Sequence, residues 1–279
     1  IDPVLDFYLH SGRLGTRSAD ELLARTEMLG LTLEYVLETH AHADHLSAGH
    51  YLRVKTGARL GIGTGITDVQ KVFAPIFEAD DVGLDGSAFD LLLQDGERLP
   101  LGENEIRIMH TPGHTPACAT YVIGDAAFVG DTLFMPDYGT ARCDFPGGDA
   151  ATLYASIQKI LSLPDETRVF TCHDYLPKGR DSYAWESSVA EQKKSNIHVH
   201  DGISAEEFIA MRSARDAGLA APKLILPSLQ VNIRAGTPPP AEKAVALFLR
   251  RPVTAFPGFG TFSKLLNART EDFQPDWHI

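Results

Sequence analysis

The chain has 279 residues, of which 44% are hydrophobic and 22% charged, so it holds enough apolar material for one large core. This composition excludes a disordered chain. No run approaches the ~20 consecutive apolar residues that a helix needs to cross a bilayer. A formal net charge of −12 disfavours nucleic-acid binding. Three cysteines without CxxC spacing favour a reducing, cytoplasmic setting over a disulfide framework.

The first residues predict a strand that begins at Ile1, without Met and without a secretion signal. We therefore expect that further residues, including any targeting segment, precede it. Ser18-Ala19-Asp20-Glu21 has the pattern of a helix capping box and predicts a helix that ends near Gly30. Ser204-Ala205-Glu206-Glu207 predicts a second capped helix in the same way.

Short apolar strands alternate with amphipathic helices over most of the chain. Hydrophobic periodicity predicts helices at residues 47–55 and 153–161, and strands at 33–37, 106–110, 126–129 and 169–170. This alternation indicates an α/β (α+β layered) domain. Each candidate metal ligand lies just past the end of a strand, where a rigid sheet can direct its side chain into one shared cleft.

The densest set of possible metal ligands is the segment His40-Ala41-His42-Ala43-Asp44-His45. Residues two apart in an extended stretch point the same way, so His40 and His42 can face one ion. Asp44 and His45 can then face a neighbouring site or support the first one. A polar surface loop is the alternative explanation, and ligand candidates elsewhere in the chain argue against it.

Three of these further candidates come from separate parts of the chain. His114 lies in a Thr-Pro-Gly-His-Thr turn, whose glycine permits close approach of the backbone to an ion. Asp131 follows the 126–129 strand, and His173 follows the 169–170 strand. Each residue alone could reflect turn or structural chemistry. Together with the segment 40–45, they predict a metal centre.

These motifs, HAHADH at 40–45, TPGHT at 111–115, GDTLF at 130–134 and the late His173, resemble the metallo-β-lactamase superfamily in type and order. The resemblance runs from Ile1 to about Pro240. It implies an αββα sandwich with a metal cleft along one edge of its sheets. We expect residues 1–240 to form the catalytic domain and residues 241–279 to form a C-terminal extension of unknown role.

The superfamily hosts many reactions, so the fold alone leaves several functions open. Members with two metal ions hydrolyse thioesters, as glyoxalase II does, and others are nucleases. A third group, the persulfide dioxygenases, holds one iron on two histidines and one aspartate. The segments 134–148, 173–175 and 211–216 resemble this third group, and so do Leu226-Pro227, Gln230 and the segment 232–236. A non-catalytic metal-binding protein is the remaining hypothesis.

This resemblance implies one Fe(II) per chain, bound by His40, His114 and Asp131. The other four candidates would support these ligands or form a second metal site: His42, Asp44, His45 and His173. Two histidines and one carboxylate leave open positions on Fe(II) for a substrate sulfur and O2. The expected reaction oxidises glutathione persulfide with O2 and water to sulfite and glutathione. The alternative is a binuclear zinc thioester hydrolase of the glyoxalase II type.

Glutathione carries two carboxylates, so an acidic protein needs cations near the metal to bind it. The resemblance places Arg142 near the substrate, and Tyr175, Lys178 and Arg180 could reach the same cleft. An Arg–carboxylate pair is bidentate and fixes orientation. The alternative for Arg142 is an internal salt bridge with Asp144, and for the two later cations it is a solvated loop. The expected partners are glutathione persulfide and O2, without nucleic acid or membrane, and a homodimer is left open.

Overall fold

The computed structural model describes residues 1–241 and 248–250. Over these residues the chain forms, in order, β1 (Val4–Tyr8), β2 (Arg13–Gly15), α1 (Arg17–Met28), β3 (Tyr35–Glu38), β4 (Leu46–Ser47), α2 (Gly49–Thr56), β5 (Arg59–Gly63), α3 (Ile66–Ile76), β6 (Leu91–Leu93), β7 (Arg98–Leu101), β8 (Asn104–His110), β9 (Ala119–Ile123), β10 (Ala126–Phe128), α4 (Ala150–Leu161), β11 (Arg168–Phe170), β12 (Glu186–Ser188), α5 (Val189–Ser195), α6 (Ala205–Asp216) and α7 (Ile225–Asn232). Nearly all of the expected extension at 241–279 lies outside the described residues.

Two of the sheets stack on each other and build the centre of the fold. One has six strands in the order β12-β11-β10-β9-β8-β7, and the other has three parallel strands in the order β3-β5-β6. A third sheet has three short strands in the order β2-β1-β4. Within the six-stranded sheet β10 and β11 run parallel, with Phe128 opposite Phe170.

Alternation of side chains along the strands divides the core into three layers. On one face of the six-stranded sheet, Ile108 and its cross-strand partner Tyr121 join Leu37 and Leu93 between the two sheets. The opposite face, including Val122, packs against α4 and α6 through a second cluster. A third cluster joins the outer face of β5 to α2, α3 and α7. The three clusters thus lie between four layers of secondary structure, in the order helix, sheet, sheet, helix, which confirms the expected αββα sandwich.

The two predicted capping boxes have different outcomes. Ser204 and Glu207 form the box at the start of α6, as predicted. The prediction for Ser18 is wrong, because α1 begins at Arg17 and its N-cap residue is Thr16. The Ser18 hydroxyl and backbone N–H both donate to the Asp6 carboxylate of β1, at 2.8 and 3.0 Å. A tertiary contact has therefore replaced the local cap.

None of the helices in the described part of the chain has the length and apolar character that crossing a membrane requires.

Candidate metal centre

The strand ends deliver the candidate ligands to one edge of the stacked sheets. β3 ends at Glu38 and leads directly to His40, and the turn between β8 and β9 carries His114. Asp131 and His173 each lie three residues past the paired Phe128 and Phe170. Because β10 and β11 are parallel, both side chains emerge at the same end of the sheet.

A first group brings together His40, His114 and Asp131, all buried, with ligand atoms within 4.8 Å of one another. The Asp131 Oδ2 atom lies 3.8 Å from His40 Nε2 and 3.7 Å from His114 Nε2. Three side chains from separate segments of the chain thus surround one point.

A second group, formed by His42, Asp44 and His45, lies beside the first. The His42 ring stands 4.0 Å from the His40 ring and 4.1 Å from the His45 ring, measured between centroids. His173 connects the groups, because its Nε2 atom lies 3.2 Å from Asp44 Oδ2 and 3.4 Å from Asp131 Oδ1. The structure therefore brings together all seven residues that the sequence singled out.

The buried polar atoms of these groups fit a metal ion. Five of them have no hydrogen-bond partner among the described residues: His40 Nε2, His42 Nδ1, His45 Nε2, His173 Nε2 and Asp131 Oδ1. An unsatisfied buried polar atom costs about 1–3 kcal/mol, so five in one place require an explanation. Imidazole nitrogens and a carboxylate oxygen are ligands of zinc and of non-haem iron.

Neighbouring hydrogen bonds orient the imidazoles of the first group. His114 Nδ1 donates to the Arg142 carbonyl at 2.7 Å, which leaves the lone pair on Nε2. His40 Nδ1 lies 2.9 Å from the Thr39 hydroxyl, which donates its own hydrogen to Asp2 at 2.9 Å. His40 is therefore also protonated on Nδ1, with its Nε2 lone pair facing Asp131. Burial, and then His42 and His114, hold the pKa of His40 well below its usual value.

Two supporting carboxylates, Asp2 and Glu38, were missed by the sequence analysis. Asp2 accepts hydrogen bonds from the Thr39 N–H at 2.6 Å, from His42 Nε2 at 3.0 Å and from Cys172 Sγ at 3.0 Å. Glu38 Oε2 lies 3.4 Å from the same His42 nitrogen. No local pattern marks Asp2. Glu38 stands just before the segment 40–45 and could have been considered, because carboxylates are frequent partners of histidines at metal sites.

These carboxylates set the charge of His42. Burial opposes the protonation of His42, but Asp2 and Glu38 outweigh it and hold its pKa well above the usual value. Burial likewise opposes the ionisation of Asp2, and His42 nevertheless holds the pKa of Asp2 well below its usual value. A cation in the centre would repel the proton on His42 Nδ1, while the Nε2–H could keep its bond to Asp2.

Comparison with known families agrees with this geometry. Residues 11–173 match the family model of the metallo-β-lactamase superfamily. The chain belongs to this superfamily. Its most similar solved structures include ETHE1 from Myxococcus xanthus, with a TM-score of 0.65 and 33% identity over 84% of this chain and 87% of that one.

Relatives in the superfamily carry names from two classes of enzyme. A probable metallo-hydrolase of Burkholderia pseudomallei is 53% identical over 91% of this chain and 90% of its own length. Glyoxylase B2 of Dictyostelium discoideum is 48% identical, over 91% and 87%. The mitochondrial persulfide dioxygenase ETHE1 of Homo sapiens is 30% identical, over 86% and 80%. The chain spans 59% of the length of the bacterial β-lactamase hydrolase-like proteins that it also matches.

The two arginines expected to bind substrate are already paired in this superfamily member. Arg142 makes a bidentate pair with Asp144, at 2.6 Å for each contact, and donates to the Ala220 carbonyl at 2.7 Å. This is the internal salt bridge that the sequence analysis kept as an alternative. Arg180 likewise pairs with Asp174 and, at 2.6 Å, with Asp137.

The other two candidates lie closer to solvent. Lys178 is exposed. Tyr175 is 51% exposed and stacks on Tyr138, with a centroid distance of 4.3 Å. Its ring lies 5.8 Å from the ring of His173, which places an aromatic surface at the rim of the metal centre. Substrate binding by Arg142, Tyr175, Lys178 and Arg180 stays a prediction.

Proposed function

We propose that this chain is a persulfide dioxygenase that binds one Fe(II) through His40, His114 and Asp131. The observation that carries the proposal is the composition of the first group, which contains two histidines and one carboxylate. His42 falls in other groups, and its Nε2 atom is held by Asp2 and Glu38. Two histidines and one carboxylate on one face are the ligand set of non-haem Fe(II) oxygenases.

The proposed reaction is GSSH + O2 + H2O → GSH + SO3²⁻ + 2 H⁺, in which GSSH is glutathione persulfide. The outer sulfur is oxidised, O2 is reduced, and the sulfur–sulfur bond breaks to release glutathione. Bound Fe(II) would supply open positions for sulfur and O2 and a redox change that zinc lacks. The Nδ1–H groups of His40 and His114 face Thr39 and the Arg142 carbonyl, which keeps both Nε2 lone pairs directed at the centre.

A small apolar pocket beside His114 supports O2 as a reactant. It is lined by two polar residues, His114 and Thr115, and by seven apolar ones: Ala41, Ala43, Val69, Phe73, Phe145, Pro146 and Leu229. The cavity volume is about 20 Å³, room for one small molecule. His114 Nδ1 is already bonded to the Arg142 carbonyl, and the Thr115 hydroxyl lies 3.2 Å from Cys118 Sγ, so the pocket offers a water few partners. An apolar diatomic molecule suits this space better than water does.

A binuclear zinc thioester hydrolase is the second candidate, and two observations favour it. His45 Nε2 and His173 Nε2 have no hydrogen-bond partner in the part of the chain that the structure describes, and His173 Nε2 lies 3.2 Å from Asp44 Oδ2, so a second metal would find ligands already in place. The relatives that are 53% and 48% identical are named as a metallo-hydrolase and a glyoxylase.

Metal analysis, O2 uptake with glutathione persulfide and thioester cleavage separate the candidates. The proposal expects about one iron per chain and O2 consumption with release of sulfite. Two zinc ions per chain with thioester cleavage and no O2 uptake would overturn it. Bound metal with neither activity would indicate a non-catalytic metal-binding protein.

A matched pair of variants sharpens this test. His114→Ala removes a ligand from the first group, so both candidates expect it to lose activity. His45→Ala removes a ligand only from the second group. The dioxygenase should keep one iron per chain in His45→Ala, whereas the hydrolase should lose its second metal and its thioesterase activity.

A further inference from the structure

We propose that Arg212 and Asp216 of α6 position the metal ligand His114 by clamping the backbone on both sides of Arg142. The inference rests on the metal centre of the proposed function and does not depend on which metal or reaction is correct. Neither residue touches the first group. They are positioning residues that act through the segment 140–143.

The segment 140–143 controls His114 through one hydrogen bond. The Arg142 carbonyl accepts the Nδ1 proton of His114 at 2.7 Å. That bond sets both the tautomer and the tilt of the ring, so the position of the carbonyl determines where the Nε2 lone pair points.

The two clamping contacts lie on either side of this carbonyl. Arg212 Nη1 donates to the Thr140 carbonyl at 3.1 Å. Asp216 Oδ2 accepts from the Cys143 N–H at 2.8 Å. Since the residues are one helical turn apart, a single rigid face of α6 holds both ends of the segment.

The clamp itself is a buried ion pair. Arg212 and Asp216 are joined at 2.6 Å, and their side chains are 1% and 4% exposed. A buried ion pair is weak evidence for stability, because apolar residues of similar volume often do as well or better. Here the charged groups also satisfy backbone groups of the segment, which an apolar pair cannot do. The pair is therefore better explained by the position it gives to the loop.

The Arg142 side chain adds a further constraint from the same direction. Its Nη1 atom donates to the Ala220 carbonyl just beyond α6, while Asp144 holds the rest of its guanidinium. Residue 142 is thus held through its neighbours' backbone and through its own side chain. All of these contacts converge on the acceptor of the His114 proton.

The decisive variant is the double substitution Arg212→Met/Asp216→Leu, which replaces the ion pair by apolar side chains and removes both clamping contacts. The metal-free protein is titrated with Zn²⁺ and with Co²⁺ against a competing chelator. We expect metal affinity to fall 10–100-fold, as is typical when the partner of a metal-binding histidine is lost. The Co²⁺ absorption spectrum should change as well, because the ligand geometry changes.

Two control variants distinguish positioning from general destabilisation. Phe208→Leu alters a fully buried residue of the same helix whose side chain takes part in none of the clamp's hydrogen bonds. It should therefore lower the melting temperature and leave metal affinity within about twofold. Asp216→Asn keeps an acceptor for the Cys143 N–H and should retain most of the affinity. If the double variant does not fold, Arg212→Lys replaces it as the test. Lysine keeps the charge but lacks the guanidinium fork that spans both Asp216 and the Thr140 carbonyl, so metal affinity should fall, and unchanged affinity would overturn the clamp.

Unchanged metal affinity and Co²⁺ spectrum in a folded double variant would overturn the clamp while leaving the proposed function intact. A loss of affinity in Phe208→Leu equal to that of the double variant would also overturn it. If the unaltered protein binds neither metal, the metal centre fails, and the clamp fails with it.

Discussion

The pH dependence of stability should reveal one buried histidine, His198. It is 7% exposed, and its Nδ1 atom accepts a hydrogen bond from the Thr140 N–H at 3.0 Å. Burial, followed by repulsion from Arg212 and Arg215, lowers the pKa of His198 to about 4 from an ordinary value of 6.5. Native His198 is therefore neutral where an unfolded histidine is already protonated.

The sign and size of the effect follow from linkage. Between pH 6.5 and about pH 4, the unfolded chain binds a proton that native His198 does not bind. The free energy of unfolding therefore falls as the pH falls through this window. Above pH 6.5, His198 is neutral in both states and this loss is absent. A pKa difference of about 2.5 corresponds to at most about 3 kcal/mol, reached at a slope of about 1.4 kcal/mol per pH unit.

Urea unfolding of the metal-free protein between pH 7.5 and pH 5 measures this contribution. The matched variant is His198→Asn, whose side-chain oxygen can accept from the Thr140 N–H but does not titrate. Other groups titrate alike in both proteins, so the difference between their unfolding free energies isolates His198. If the two proteins lose stability with the same pH slope, the reasoning about His198 is wrong.

Three substitutions give further tests. Leu153→Ala removes a fully buried side chain of α4 and should lower the free energy of unfolding, measured by chemical denaturation, by about 2.7–5 kcal/mol. A loss under about 1 kcal/mol would contradict the packing described. Gly139→Ala should destabilise the fold by at least about 1 kcal/mol, because φ is +102° and the new Cβ would lie 2.1 Å from His198 Nδ1; an unchanged melting temperature would count against it. Asp2→Asn should weaken metal binding 10–100-fold in chelator competition, because an amide cannot accept from both the Thr39 N–H and the Thr39 hydroxyl that orients the ligand His40. Equal affinity would refute that role.

The sequence predicted which side chains come together, because each candidate ligand belongs to a short pattern at the end of an apolar strand. His40 to His45, His114, Asp131 and His173 all reach one place, as their strand ends suggested. Asp2 could not be predicted in this way. Its partners are Thr39 and His42, about 40 residues further along the chain, and only the folded sheet brings them together.

Identical local patterns also produced different structures. Ser18 and Ser204 both stand three residues before a glutamate, yet only Ser204 forms a capping box. Asp6, on the neighbouring strand, accepts a hydrogen bond from the Ser18 hydroxyl. The pattern records what a serine can do locally, and the fold decides which acceptor it meets. Arg142 illustrates the same limit. Asp144 is only two residues further along the chain, but the loop geometry decides whether the two side chains pair.

The parallel pairing of β10 with β11 has a consequence for how the protein matures. Asp131 and His173 are aligned only if Phe128 stands opposite Phe170. A slip of one residue would shift one ligand by roughly 3.3 Å along the strand and turn it to the other face. A misaligned chain could not coordinate the ion, so metal binding would stabilise only the sheet with the correct register.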